Sequence, residues 1–191
     1  KELCGRDFLI ECQVTGEDPY GCSLDETIQF AKMAEGAVDI LQVRTDQGET
    51  AHPTGYNSRE GWQQTLAYAE AIKSSGVKML VAPIGGFQDL DENDGYIASG
   101  KCDMIAMARA FICDPEYGLK AYEGRGEDVV PCLRCNKCHS PANGSGYFVN
   151  VCSVNPRTGI DHRLHTLIKA PERIKRVAVV GGGPAGMEAA I

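Results

Sequence analysis

Basic residues are the minority in this chain: 19 lysines and arginines stand against 26 aspartates and glutamates, a formal net charge of −7. Nothing in that balance offers the basic stripe a nucleic-acid backbone requires, so no nucleic-acid partner is expected. Long apolar runs are also missing. None approaches the ~20 residues that cross a bilayer as a helix, and the N-terminus lacks the basic, apolar and small-residue succession of a secretory leader. The expectation is a cytoplasmic protein with no membrane partner. Histidine is scarce, four in 191 residues, and His52 is the only one before the cysteine-rich segment. Repeats and low-complexity tracts are absent beyond an alternation of strands and helices.

Cysteine, in contrast, is plentiful, with nine residues. Three lie in the run Pro131-Cys132-Leu133-Arg134-Cys135-Asn136-Lys137-Cys138, and Cys152 follows a loop rich in glycine, asparagine and serine. Two-residue gaps let consecutive thiolates converge from one tight turn, and a distant fourth closes a tetrahedron. The pattern suits a [4Fe–4S] cluster and is also compatible with zinc; the plain alternative is four thiols that are merely neighbours. Clustered ligands fit a reducing compartment better than a disulfide scaffold. Cys4, Cys12, Cys22, Cys102 and Cys113 are scattered, several in apolar stretches, and read as small core residues.

The first ~125 residues alternate strand and helix. Strands are predicted at Phe8–Val14, Ala37–Val43, Val77–Ala82 and Cys102–Ala108, apolar enough to be buried on both faces as parallel strands are. Ser23 to Glu26 forms a capping box that opens one helix. A second carries the face Trp62, Leu66, Ala69 and Ile72, and a third runs from near Asp89 to Gly100. Asp114-Pro115 would start a fourth, as N-cap and proline at N1. Four β/α units make an α/β fold, either half of a (β/α)8 barrel or half of a doubly wound sheet. The chain enters a strand almost at once and stops just inside a helix, so it is expected to be partial.

Two turns look built for anions. Gly85-Gly86 ends the third predicted strand, and Met107-Ala108-Arg109 the fourth. In a barrel such loops hold phosphate through backbone N–H groups and a nearby cation; a β-turn with a paired arginine is the plain alternative. Near the C-terminus, Arg176–Val180 reads as a strand leading into Gly181-x-Gly183-x-x-Gly186 and a helix. That setting is the dinucleotide fingerprint, with Gly181 for the tight turn, Gly183 for approach to a pyrophosphate and Gly186 for close packing. A glycine-rich turn without ligand is the alternative. The acidic residue expected ~20 positions further on is absent from the sequence.

Taken in order, Gly100–Pro115, Pro131–Cys138, Cys152–Pro156 and Val177–Gly186 resemble the flavin- and iron–sulfur-containing NADH:flavin oxidoreductases of the old yellow enzyme superfamily. The resemblance implies the C-terminal half of an FMN-binding TIM barrel over 1–125, a [4Fe–4S] segment over 126–170, and the start of a Rossmann-type domain for FAD or NAD(P)H over 171–191. It implies that Gly85, Gly86, Ala108 and Arg109 hold the FMN phosphate and that Cys132, Cys135, Cys138 and Cys152 hold the cluster. Electrons would pass from NAD(P)H through FAD and the cluster to FMN, which reduces an activated C=C bond in an enoate, enoyl-CoA or enone substrate. A homo-oligomer is compatible with this.

Some features depart from that family. Where it usually carries an arginine at the flavin edge, the segment Ile10–Thr15 offers Gln13, whose neutral amide stabilises an anionic flavin less. The second and third cysteines are two residues apart, as in trimethylamine dehydrogenase, where dienoyl-CoA reductase has three. His52 lies where dienoyl-CoA reductase has a proton-donating histidine; a solvent-exposed loop histidine is the alternative. Amine dehydrogenation on the same scaffold, or a structural zinc module without redox role, are the competing functions. A half barrel alone leaves open strand edges and is expected to be inactive by itself.

Overall fold

Three short strands pair in parallel and in sequence order: β1 (Glu11–Thr15), β2 (Ile40–Arg44) and β3 (Leu80–Pro83). Parallel neighbours need crossovers, supplied here by α1 (Leu24–Met33) and α2 (Arg59–Ser74). The computed structural model describes residues 2–18, 21–45, 59–139 and 151–191. These divide into two units, Lys1–Thr158 and Gly159–Ile191.

Local sequence sets the helix ends. The Ser23 backbone N–H donates to Glu26 at 2.8 Å while the Glu26 N–H donates back to the Ser23 hydroxyl at 3.4 Å, the capping box expected from the sequence. In α2 the buried residues Trp62, Leu66, Ala69 and Ile72 recur every three or four positions, the single apolar face of a helix laid on a sheet. In α3 (Leu90–Ala98), the Asp89 carboxylate accepts from the Glu92 N–H at 3.0 Å.

One side of the sheet makes the core. Leu41, Val43 and Val81 are fully buried with Ala31, Ala69 and Ile72, and Cys12 and Val14 pack against them. The other side is only partly buried, contrary to strands buried on both faces: Ala82 is buried there, but Leu80 is exposed and polar side chains occupy the β1–β2 part. Glu11 and Gln13 are exposed, the Gln13 amide donates to Gln42, and the Gln42 amide donates to Glu11 at 2.6 Å. Alternation along β1 and β2 thus sets an apolar helix-covered face against one that carries the Glu11, Gln13 and Gln42 hydrogen bonds.

Where the loop after β1 passes α2, space decides the residue. A Cβ on Gly16 would lie 2.2 Å from the Tyr68 ring. The ring is held in place because its hydroxyl donates to Glu17 at 3.1 Å and accepts from Gln64 at 2.7 Å.

The predicted fourth strand is reduced to one parallel bridge between Ile84 and Ala106. The cause is Asp103. Its N–H reaches the Val81 carbonyl at 2.9 Å as a strand residue would, but its carboxylate captures the Val81 N–H at 2.9 Å and the Lys73 ammonium. A side chain has replaced a ladder bond. The Ala106 N–H then bonds the Pro83 carbonyl at 3.0 Å.

Two further expectations are corrected. Asp114 does not cap the next helix: it ends α4 (Arg109–Cys113), and α5 (Tyr117–Tyr122) has Glu116 at its N-cap. Asp114 is buried, and its carboxylate accepts from the N–H groups of Glu116 at 3.0 Å and Val130 at 2.9 Å and from the Lys120 ammonium at 2.7 Å. It anchors three segments where the expected role was to cap one.

In the second unit, α6 (Asp161–Leu167) and α7 (Pro184–Ala190) are helical. The predicted strand Arg176–Val180 has no ladder among the described residues, and Val177 and Val180 are 79% and 98% exposed. An extended segment without a partner strand forms no sheet.

Candidate cofactor site at the cysteine loop

The segment 131–138 is not regular, and its path is fixed by two residues in the left-handed region, Arg134 (φ 54°) and Asn136 (φ 55°). Each such non-glycine residue costs roughly 1–2 kcal/mol, so other contacts must hold them. Both lie beside Cys135. The Arg134 side chain reaches back to the first glycine turn, donating from Nε and Nη2 to the Gly86 carbonyl at 3.2 and 2.9 Å, and lies over the Trp62 ring at 4.1 Å. Asn136 accepts from Arg109 Nη1 at 2.7 Å. The Cys132 N–H donates to Gln88 at 2.9 Å. The cysteine loop is therefore fastened to both segments that the sequence suggested as a phosphate cradle.

Backbone and hydroxyl groups face the sulfurs. The Arg134 N–H donates to Cys132 Sγ at 3.3 Å and the Val154 N–H to Cys152 Sγ at 3.4 Å. Cys135 Sγ and the Ser153 hydroxyl are 3.3 Å apart. The Ser153 contact and then the Lys137 N–H draw the Cys135 pKa below its usual value. Burial, then the charge of Cys132, push that of Cys138 up, with Cys152 acting in the same direction. Cys132 and Cys152 thus act on Cys138, and Cys135 touches Ser153, the residue next to Cys152.

Among the described residues, no three His, Cys, Asp or Glu side chains converge closely enough to hold one ion. Four thiols, two of them with a backbone N–H aimed at the sulfur, are donors that suit a [4Fe–4S] cluster and are also compatible with zinc. Cys132, Cys135, Cys138 and Cys152 would hold it.

A fifth thiol was missed. Cys113 is buried as a core residue should be, yet it lies against the site. Burial, then the nearby Cys152 and Cys132, push its pKa up to about 12. It stands outside the cysteine spacing; the only signal was its position four residues after Arg109, in what proves to be the same short helix.

The remaining predicted residues are placed as follows. Gly85 and Gly86 form the bend after β3, and Gly86 is buried. Ala108 precedes α4 and Arg109 is its first residue, so the segment ends in a helix start where a strand end was expected. Gln13 is on the polar face of β1, away from the helix-covered core. His52 lies outside the described residues. Gly181, Gly183 and Gly186 are in the second unit. Gly181 has φ 123°, Gly183 is the N-cap of α7, and a Cβ on Gly186 would lie 2.0 Å from the Gly181 carbonyl oxygen. The close approach that requires the third glycine is present; the strand before it is not.

No family model matches the chain. It is 36% identical to the NADH oxidase of Thermoanaerobacter brockii over 199 aligned positions, which take in all of this chain and 30% of that protein. It is also 36% identical to the cinnamate reductase of Clostridium sporogenes, again over all of this chain and 30% of the relative. A solved complex of 2-naphthoyl-CoA reductase with 2-naphthoyl-CoA matches with a TM-score of 0.75 and 30% identity, over 95% of this chain and 28% of the other. The chain belongs to the NADH:flavin oxidoreductase superfamily. Its small parallel sheet is similar to that of the superfamily's TIM-barrel flavoenzymes, including the histamine dehydrogenase of Rhizobium sp. 4-9 (TM-score 0.71, 25% identity, 95% of this chain and 26% of that one). The chain spans about 30% of the length of the curated relatives it matches. Among the described residues, no helix is long and apolar enough to cross a membrane.

Proposed function

We propose that this chain is the part of a flavin- and iron–sulfur-dependent reductase that joins an FMN phosphate cradle to a [4Fe–4S] loop. One observation carries the reading: the residues flanking Cys135 are tied to the two cradle segments, Arg134 to Gly86 and Asn136 to Arg109. In the whole protein, residues 1–125 would be half of the barrel, 126–170 the cluster segment and 171–191 the opening of a domain for FAD and NAD(P)H. When bound, the cluster would supply one-electron transfer between an NAD(P)H-reduced FAD and FMN, and FMN would supply hydride for the activated C=C bond of an enoate, enoyl-CoA or enone.

This chain's own residues have simpler tasks. Gly85, Gly86 and Ala108 supply backbone to the phosphate, and Arg109 supplies positive charge while its other contact steadies Asn136. Gln13, on the polar sheet face, presents an amide to the flavin edge. His52 donates a proton to substrate. Gly181, Gly183 and Gly186 shape the dinucleotide turn.

The test is iron, sulfide, zinc and flavin content with a visible spectrum, on anaerobically purified full-length protein. About four irons and four sulfides per chain with bound flavin are expected, followed by NAD(P)H-dependent reduction in a panel of enones and enoyl-CoAs. One zinc and no iron would make the cysteines a structural clasp. Likeness to histamine dehydrogenase favours amine oxidation as the second reading, and turnover of amines without enone reduction would select it.

A further inference from the structure

The cysteine loop places an arginine where a side chain is conformationally costly. Arg134 is left-handed, flanked by Leu133 and Cys135, and glycine would fill the position without strain. The side chain is not left in solvent. Its guanidinium lies over Trp62 at 4.1 Å and donates to the Gly86 carbonyl through two nitrogens, at 3.2 and 2.9 Å. An aromatic face and a carbonyl attract a cation but leave its charge in place. The same residue's backbone N–H donates to Cys132 Sγ at 3.3 Å. One residue thus brings an N–H dipole to Cys132 and, from its place between Cys132 and Cys135, a full positive charge to the side of the cysteine loop that meets Gly86 and Trp62.

We propose that Arg134 is a positioning residue that raises the reduction potential of the metal centre held by the cysteine loop. The inference rests on the cluster reading given above. Four thiolates around an iron–sulfur core carry net negative charge, and reduction adds another electron. Cationic and N–H groups near the sulfurs stabilise the more negative state, so potential rises with them. Trp62 and Gly86 fix the cation on the side of the loop that faces the predicted flavin cradle, where it favours electron arrival at the cluster.

The variants are Arg134→Gly, which removes the charge while easing the left-handed backbone, and Arg134→Lys, which retains a cation. Full-length protein is assayed for iron and sulfide, then titrated with spectroscopic and EPR detection of the reduced cluster. Arg134→Gly is expected to retain iron and to lower the reduced-to-oxidised ratio about tenfold at fixed potential, which is about 59 mV for a one-electron couple. Arg134→Lys is expected to stay within about threefold of wild type, since the charge remains. An unchanged potential in an iron-replete Arg134→Gly protein overturns the proposal and leaves the cluster reading intact. Loss of iron from that variant also overturns it, because the side chain then serves as a brace. Wild-type protein without iron is a different result and removes the cluster reading itself.

Discussion

The Arg109 guanidinium donates to the Asn136 amide oxygen at 2.7 Å and so joins the first turn of α4 to a left-handed residue of the cysteine loop. Asparagine tolerates that conformation better than most residues, and a β-branched one does so poorly. Asn136→Val is therefore expected to lose about 1–3 kcal/mol of stability and part of the bound iron. Asn136→Gly should restore the backbone but not the bond to Arg109. Thermal unfolding and iron assays on the two variants separate the contributions.

Replacing Gly16 by alanine would drive a methyl into the Tyr68 ring, 2.2 Å from the new Cβ. Overpacking of this kind costs typically about 1–3 kcal/mol. The ring cannot simply swing away, because Glu17 and Gln64 hold its hydroxyl. Gly16→Ala should lower the denaturant midpoint, and adding Tyr68→Ala should recover part of the loss. Additive losses in that double-mutant cycle would contradict the steric account.

Asp114 couples pH to stability. Burial opposes its ionisation, but the Lys120 ammonium and the N–H groups of Val130 and Glu116 outweigh that and hold its pKa below the ordinary 3.8. A carboxyl with a depressed folded pKa contributes stability above its unfolded value and loses it as pH falls through the folded one. The contribution is present near neutrality and disappears below about pH 4. Asp114→Asn leaves Lys120 nearly buried without its counter-charge and should cost about 3–5 kcal/mol. Its denaturant midpoint should also vary less between pH 6 and pH 3 than that of wild type.

Ligand assignment divides the cysteines. Cys135→Ser should reduce bound iron sharply, because a hydroxyl replaces a thiolate within the predicted set. Cys113→Ser should retain it, since Cys113 borders the site without belonging to the four. Iron lost equally from both variants would show that Cys113 is a ligand.

The sequence made some of this legible and hid the rest for physical reasons. Ser23 and Glu26 announce α1 because a capping box is a local interaction, complete within four residues. The period of Trp62, Leu66, Ala69 and Ile72 announces α2 because one face must be buried. Cys102–Ala108 misled because its apolar residues suit a strand, while Asp103 spends its carboxylate on a distant backbone N–H. Asp114-Pro115 misled likewise: three donors from elsewhere in the fold outcompeted the cap. The ties from Arg134 to Gly86 and from Arg109 to Asn136 span 48 and 27 positions, and no local pattern encodes such partners. The cysteine spacing identified four thiols; only the fold brought Cys113 beside them.

The capture of the Val81 N–H by Asp103 has a consequence for behaviour in solution. On the outer edge of β3, Val81 has its N–H and its carbonyl engaged by Asp103, Pro83 has no N–H to offer, and its carbonyl is held by Ala106. An incoming strand would find no donor or acceptor there with which to start a ladder. A short, irregular segment thus does for this edge what a full fourth strand would do, and self-association by sheet extension is blocked on that side.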